Sequence, residues 1–215
     1  MSDIKIRKVS SRKDLRTFID FHHDLYEGNA YDAPTLYIDD MNTLRKDKNA
    51  AFEFCRAEYY IAFKDGKVAG RVAAIINDRA NEKWGTKSVR FGWIDFIDDI
   101  EVSAALLGAV EDYGRANGME QVIGPLGFTD MDPEGMLTWG FDQLGTMATI
   151  YNYPYYPEHM ERLGGWESSR FRYRRSSRRN TPRWRGWWRR ATTCTPGSSP
   201  RAMCIKVGTV LRCST

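Results

Sequence analysis

Two runs rich in β-branched and aromatic residues, Tyr59 to Phe63 and Val68 to Ile76, flank the turn Lys64-Asp65-Gly66-Lys67. That arrangement leaves the chain few choices. Asp-Gly is a strong hairpin signal, because glycine takes positive φ without steric cost, and the spacing predicts two adjacent antiparallel strands. A third β-rich run, Val89 to Ile97, follows after Ala80 to Lys87, which reads as a loop. Upstream, Lys5 to Val9 alternates weakly, as a first strand does, and Ser11 with Asp14 forms a capping box at a helix start. Leu15, Phe18, Ile19, Leu25 and Tyr26 then share one helical face until Gly28. Asn29 to Arg56 is loop-rich, with a short helix near Asp40 to Arg45. Downstream, Val102, Ala105, Leu106, Ala109, Val110 and Tyr113 recur at helical spacing, and Asn117-Gly118 stops that helix. Gln121 to Gly124 is a short strand that Pro125 breaks. The order strand, helix, short helix, hairpin, strand, helix, strand predicts an α/β fold with a mixed, mainly antiparallel sheet flanked by helices.

The charges divide the chain in two. Its formal net charge is only +4 over 215 residues, yet every acidic residue lies at or before Glu167. Residues 1–167 hold 19 Lys and Arg against 28 Asp and Glu, a net −9, while residues 168–215 hold 13 basic residues and no acid. The first segment, in a chain that is 42% hydrophobic, has enough apolar content to build a core. No stretch approaches the roughly 18 apolar residues of a membrane span, and the charged start is unlike a secretory signal. These features predict a cytoplasmic protein, or one peripheral to the inner membrane, with no transmembrane segment. The division predicts a folded domain over 1–167 and a basic tail without stable structure over 168–215.

Four stretches carry a more specific signal: AEYYIAFKDGKVAGRVAAIIND, FGWIDFIDD, GPLGFTDMDPEGMLTWGFD and YNYPYYPEHMERLGGW. With the element order, they resemble the GNAT acyltransferase fold, and within it the bacterial ceramide synthase-like acyltransferases. The resemblance covers about residues 4–167. It implies acyl transfer from acyl-CoA, or a related thioester, to an amine, which for the ceramide synthase members is a long-chain base. Acyl-CoA would then be a cosubstrate, with no tightly bound cofactor. The chemistry implied is attack of a deprotonated amine on the thioester, for which the protein orients two substrates and assists proton transfer.

One departure from the family is as informative as the match. GNAT proteins grip the CoA pyrophosphate with a basic, glycine-rich turn between the fourth strand and the next helix, where backbone amides approach the phosphate. Here that turn is Asp98-Asp99-Ile100-Glu101-Val102-Ser103, acidic and without glycine. Three carboxylates repel a pyrophosphate. The resemblance implies a second GNAT-like domain that carries the working turn, so this chain is expected to be truncated and inactive alone.

The segment 168–215 admits four readings. Arg174 to Arg179 with Trp184, Trp187 and Trp188 suits a nucleic-acid arm, in which arginines meet phosphates and rings stack on bases. The same residues suit an anchor at an anionic membrane. Cys194, Cys204 and Cys213 are too widely spaced to read as a metal site. The composition, with 12 Arg, one Lys, clustered Trp and three Cys, fits best a shifted reading frame of a GC-rich gene. The codons of Ala191 to Arg201, read one phase over, permit an ordinary soluble peptide. A non-catalytic GNAT-like module with a basic arm for nucleic acid or anionic membrane stands as the alternative to the acyltransferase reading.

Candidate site residues follow from strand ends and aromatic clusters. Asp95 and Asp98, with Asp99 and Trp93 at the end of a strand, are candidates for a general base toward an amine, or simply charges that favour a helix start. Gly124, Pro125 and Phe128 are candidates to shape a channel where the resemblance implies that strands splay to admit substrate, and Trp93 is a further substrate-binding candidate. Asn152, Tyr153, Tyr155 and Tyr156, with Tyr151, could line an acyl or amine pocket, the amide fixing orientation, or pack in a core. His22 and His23 read as structural or exposed, His159 as an exposed helix residue, and Cys55 as a buried or reduced thiol. The acidic loop of Asp130, Asp132 and Glu134 does not have metal-ligand spacing.

Overall fold

A computed structural model describes residues 3–146, 150–163, 204–206 and 209–212. The expected hairpin forms its centre. Strands β2 (Cys55–Lys64) and β3 (Lys67–Asn77) pair antiparallel around Asp65-Gly66, whose φ angles are 50° and 79°. The first strand, β1 (Ile4–Lys8), adds antiparallel to β2, and β4 (Ser88–Phe96) adds antiparallel to β3. Strand β5 (Gln121–Gly124) runs parallel to β4, as the intervening helix requires. The result is the mixed, mainly antiparallel sheet that the element order predicts.

Helices cover both faces. Helix α1 (Arg12–Leu25) starts at a complete capping box: the Ser11 hydroxyl accepts from the Asp14 amide at 3.1 Å, and the Asp14 carboxylate accepts from the Ser11 amide at 3.1 Å. It buries Leu15, Phe18 and Ile19 against Ala57, Tyr59, Ile61, Ala73 and Ile75, beside the short helix α2 (Tyr37–Thr43). On the opposite face Val102, Leu106 and Val110, one turn apart on helix α4 (Ile100–Ala116), bury against Ala74, Ile76, Val89 and Phe91. Buried side chains of this size stabilise the fold by about 1.5–3 kcal/mol each.

The stretch read as a loop over Ala80 to Lys87 instead begins inside a helix, α3 (Asp78–Trp84). The Asn77 side chain caps it by accepting from the Ala80 amide at 2.8 Å, and Gly85 ends it with φ 61°. The helix buries none of its residues, so it carries no apolar stripe for a periodicity argument to detect.

Past β5 come a Gly124–Pro125 bond in the cis form, a strand β6 (Met136–Trp139) that the sequence pattern did not announce, and helix α5 (Tyr155–Arg162). Within 168–215 the described residues form β7 (Cys204–Lys206), antiparallel to β6, and β8 (Thr209–Arg212), antiparallel to β5. These strands fall on the one apolar run of that segment. Both strands fall within the segment read as a shifted frame without stable structure; the rest of 168–215, including the Arg–Trp cluster and the stretch from Ala191 to Arg201, lies outside the described residues. Among the described residues no helix is long and apolar enough to cross a membrane.

Candidate functional site

The site lies where β4 outruns β5. Their regular pairing covers only Ser88↔Gln121, Val89↔Val122 and Arg90↔Ile123, and one further bond, from the Leu126 amide to the Phe91 carbonyl at 2.7 Å, precedes the parting. At the parting the backbones crowd each other. A Cβ on Gly124 would lie 2.4 Å from the Phe91 carbonyl oxygen, and one on Gly92 would lie 2.5 Å from that of Leu126. Only glycine permits this approach. Just beyond, β4 bulges: Arg71 to Ala73 on β3 faces Asp95 to Gly92, one residue more. Trp93 sits in the bulge at φ 44°, a conformation that strains a non-glycine residue by about 1–2 kcal/mol. Such strain is commonly kept where a strand must aim its groups at a particular point.

Beyond the bulge stands Asp95, 6% exposed, with partners on all sides. Arg71 donates from Nε at 2.7 Å, the Tyr156 hydroxyl donates at 3.1 Å, and the Tyr26 hydroxyl lies at 3.4 Å. His22 Nδ1 lies 3.0 Å from the same carboxylate. Burial by itself would raise the Asp95 pKa, but the Arg71 guanidinium and His22 outweigh it and hold the carboxyl well below the usual range. Arg71 is fixed in turn by donating to the Phe18 carbonyl at 3.0 Å. Tyr26 donates to the Tyr156 hydroxyl at 2.9 Å, and burial followed by the charge of Asp95 pushes both phenols well above their ordinary value. The network is thus one locked anion ringed by neutral phenols, an arginine and an imidazole.

Helix α5 closes the end of β4. The Tyr156 hydroxyl accepts from the Phe96 amide at 3.2 Å, and the Tyr155 hydroxyl donates to the Phe96 carbonyl at 2.7 Å. Tyr153 stacks on Tyr26 at 4.9 Å and donates to the Leu25 carbonyl at 3.0 Å, tying α1 to this cluster. His159, expected on a helix surface, is buried instead. Its Nδ1 lies 3.0 Å from the Ser103 hydroxyl and its Nε2 lies 3.0 Å from Asp98. Ser103 is wholly buried and also donates to the Ile100 carbonyl at 3.1 Å, so this trio latches α5 to the first turn of α4 and presents no nucleophile.

The structure therefore unites some expected site residues and separates others. Asp95, Tyr153, Tyr155 and Tyr156 share one cluster, whereas Trp93 packs in the α1-side core on Phe128, ring centroids 5.6 Å apart, and Gly124 lies against Phe91. Asp98 stands apart, largely exposed and facing His159. Phe128 is fully buried between Phe52 and Trp93, a core position. Asn152 spends its amide on protein: it accepts from the Leu137 amide at 2.7 Å and donates to the Leu137 and Tyr153 carbonyls at 3.1 Å each. Pro125 holds the turn, its carbonyl accepting from Gly135 at 2.9 Å. His22 and Tyr26 are the members that sequence reasoning left in a structural role. Their one signal was a place on the last turn of α1, which says nothing about the strand 73 residues away that His22 meets.

The start of α4 is occupied by its own side chains. The Asp99 carboxylate accepts from the Glu101 amide at 2.9 Å and pairs with Lys64, whose hydrogen bond holds the Asp99 pKa down. A helix N-terminus attracts anions through free amides, and here a carboxylate already supplies the charge.

The strand order, the parallel β4–β5 pair that parts midway, and the covering helices match one known architecture. The chain superimposes on a tandem GNAT protein from the clavulanic acid biosynthesis pathway with a TM-score of 0.52 at 11% identity, over 76% of this chain and 44% of that one. The chain has a GNAT acyltransferase-like fold. Over 159 residues it is 32% identical to Protein YghO of Escherichia coli (strain K12), covering 74% of this chain and 40% of that protein. Over 142 residues it is 27% identical to the bacterial ceramide synthase of Caulobacter vibrioides (strain NA1000 / CB15N), covering 66% of this chain and 37% of that protein. The GNAT-like chain thus spans about two fifths of the length of these curated relatives. No family model matches it.

Proposed function

We propose that the cluster at the end of β4 serves acyl transfer from a thioester to an amine, and that this chain supplies the amine side of the site and not the grip on a CoA pyrophosphate. The observation that carries the reading is the buried network on Asp95, placed beside the parting of β4 and β5 in a GNAT-like fold. The carboxylate-capped start of α4 supports the second half, since Asp99 fills the position from which backbone amides would hold phosphate. Exposed apolar side chains support an amine with a long chain: Leu36 and Ile38 are 66% and 61% exposed, and Leu144 is 69% exposed. They flank Tyr31 and Tyr37; the Tyr37 ring lies 5.7 Å from that of His23, next to His22. The name of the Caulobacter relative agrees with an amine of the long-chain-base type.

The test is calorimetric titration of the full chain with dodecylamine, with lauroyl-CoA and with the lauroyl thioester of pantetheine. Dodecylamine is expected to bind, and the two thioesters to bind alike, because nothing at the start of α4 rewards the nucleotide end. Failure of dodecylamine to bind removes the amine-side reading. A preference for the CoA thioester of tenfold, about 1.4 kcal/mol, or more removes the claim that the phosphate grip is missing.

A further inference from the structure

Asp95 is the carboxylate that a strand-end position nominates as base, yet Arg71 and His22 hold it ionised and its oxygens are already engaged. A carboxylate so stabilised is a weak proton acceptor. His22 is placed differently. Its Nδ1 is taken by Asp95 at 3.0 Å, its side chain keeps 15% exposure, and among the described residues its Nε2 has no hydrogen-bond partner. A carboxylate on one imidazole nitrogen fixes the tautomer and turns the other nitrogen into an oriented acceptor.

We propose that His22 is the general base of this site and that Asp95 is its positioning residue. The inference rests on the acyl-transfer reading. The amine nitrogen attacks the thioester carbonyl carbon; the C–N bond forms, the C–S bond breaks, and the bonding pair leaves with sulfur. The proton lost by nitrogen passes to His22 Nε2 and from there to the leaving thiolate, directly or through solvent, so that amide and thiol are the only products. Several charged or titratable groups stand around His22. They are Asp95 from β4, with Arg71 behind it on β3; Tyr26 and His23 from its own helix, with ring centroids at 4.8 and 5.7 Å; Tyr156 from α5; and Asp32 from the loop after α1. Burial raises the Asp32 pKa while His22 and His23 lower it, which places that carboxyl within electrostatic reach of both imidazoles.

Two measurements on the full chain test this. In amide formation from dodecylamine and lauroyl pantetheine, His22→Gln is expected to lose about 10²–10⁴-fold in rate together with the acid limb of the pH profile, and added imidazole is expected to restore part of the rate to His22→Ala. In nitrogen-resolved imidazole spectra, His22 is expected as the Nδ1–H tautomer, with dodecylamine moving its Nε2 signal. Asp95→Asn is expected to scramble the tautomer; should that variant not fold, the wild-type spectra still report it. Rate and pH profile unchanged in His22→Gln overturn the base assignment and leave the acyl-transfer reading standing. If turnover is too slow to assay, bound dodecylamine that leaves the His22 signal unmoved overturns it equally. Absence of dodecylamine binding by calorimetry is the separate outcome that sinks the acyl-transfer reading itself.

Discussion

Asp95 keeps its charge in a place where burial by itself favours the neutral acid. Arg71 makes the difference, and the pair stands or falls together. Removing one partner leaves the other as a buried, uncompensated charge, so Asp95→Asn is expected to cost about 3–5 kcal/mol, read by urea denaturation. Because the folded pKa of Asp95 lies below its unfolded value, its stabilising contribution is complete above about pH 4 and is lost as pH falls toward the folded value. The wild-type chain should therefore lose stability between about pH 4 and pH 2 more steeply than Asp95→Asn. Equal slopes for the two would show that Asp95 is not the coupled group.

At the scale of elements, the helices on either face of the sheet are held by local chemistry that can be removed piece by piece. Ser11→Ala deletes the α1 capping hydroxyl and is expected to cost about 1 kcal/mol, with His22 and Tyr26 loosened because they ride on the same helix. Glycines divide sharply by place. Gly124→Ala forces a methyl against the Phe91 carbonyl where β4 and β5 part, and is expected to destabilise by about 1–3 kcal/mol. Gly108→Ala, inside α4 with nothing within 4 Å of the new methyl, is expected to stabilise by about 0.5–1 kcal/mol. Thermal unfolding of the pair checks both signs, and a tolerated Gly124→Ala would mean that the strands part more freely than the geometry allows.

For the whole molecule, the net charge of +4 describes neither part of the chain. The described body is acidic, and it places Asp98, Asp99 and Glu101 at the one helix end where a GNAT-like fold would otherwise meet phosphate. Asp99→Gly frees the α4 amides, so lauroyl-CoA is expected to gain affinity over lauroyl pantetheine in that variant alone, measured by calorimetry at low salt and weakened as salt rises. No gain at all would mean that the capped helix is not what limits phosphate binding.

The sequence by itself determined the central hairpin, the caps and stripes of α1 and α4, the break at Pro125 and the acidic turn, because each is written in residues within a turn or two of one another. It marked Asp95 and the tyrosines of 151–156 as a strand-end acid and an aromatic cluster. It missed α3, which has no buried face to reveal it, and misplaced His159, whose burial depends on Ser103 and Asp98 meeting it from another element. Only the tertiary structure decided that His22, Tyr26, Arg71 and Tyr156 converge on Asp95. Those contacts span up to 73 residues and exist because sheet register, the β4 bulge and the packing of α1 and α5 bring four separate elements to one point, which no local pattern encodes.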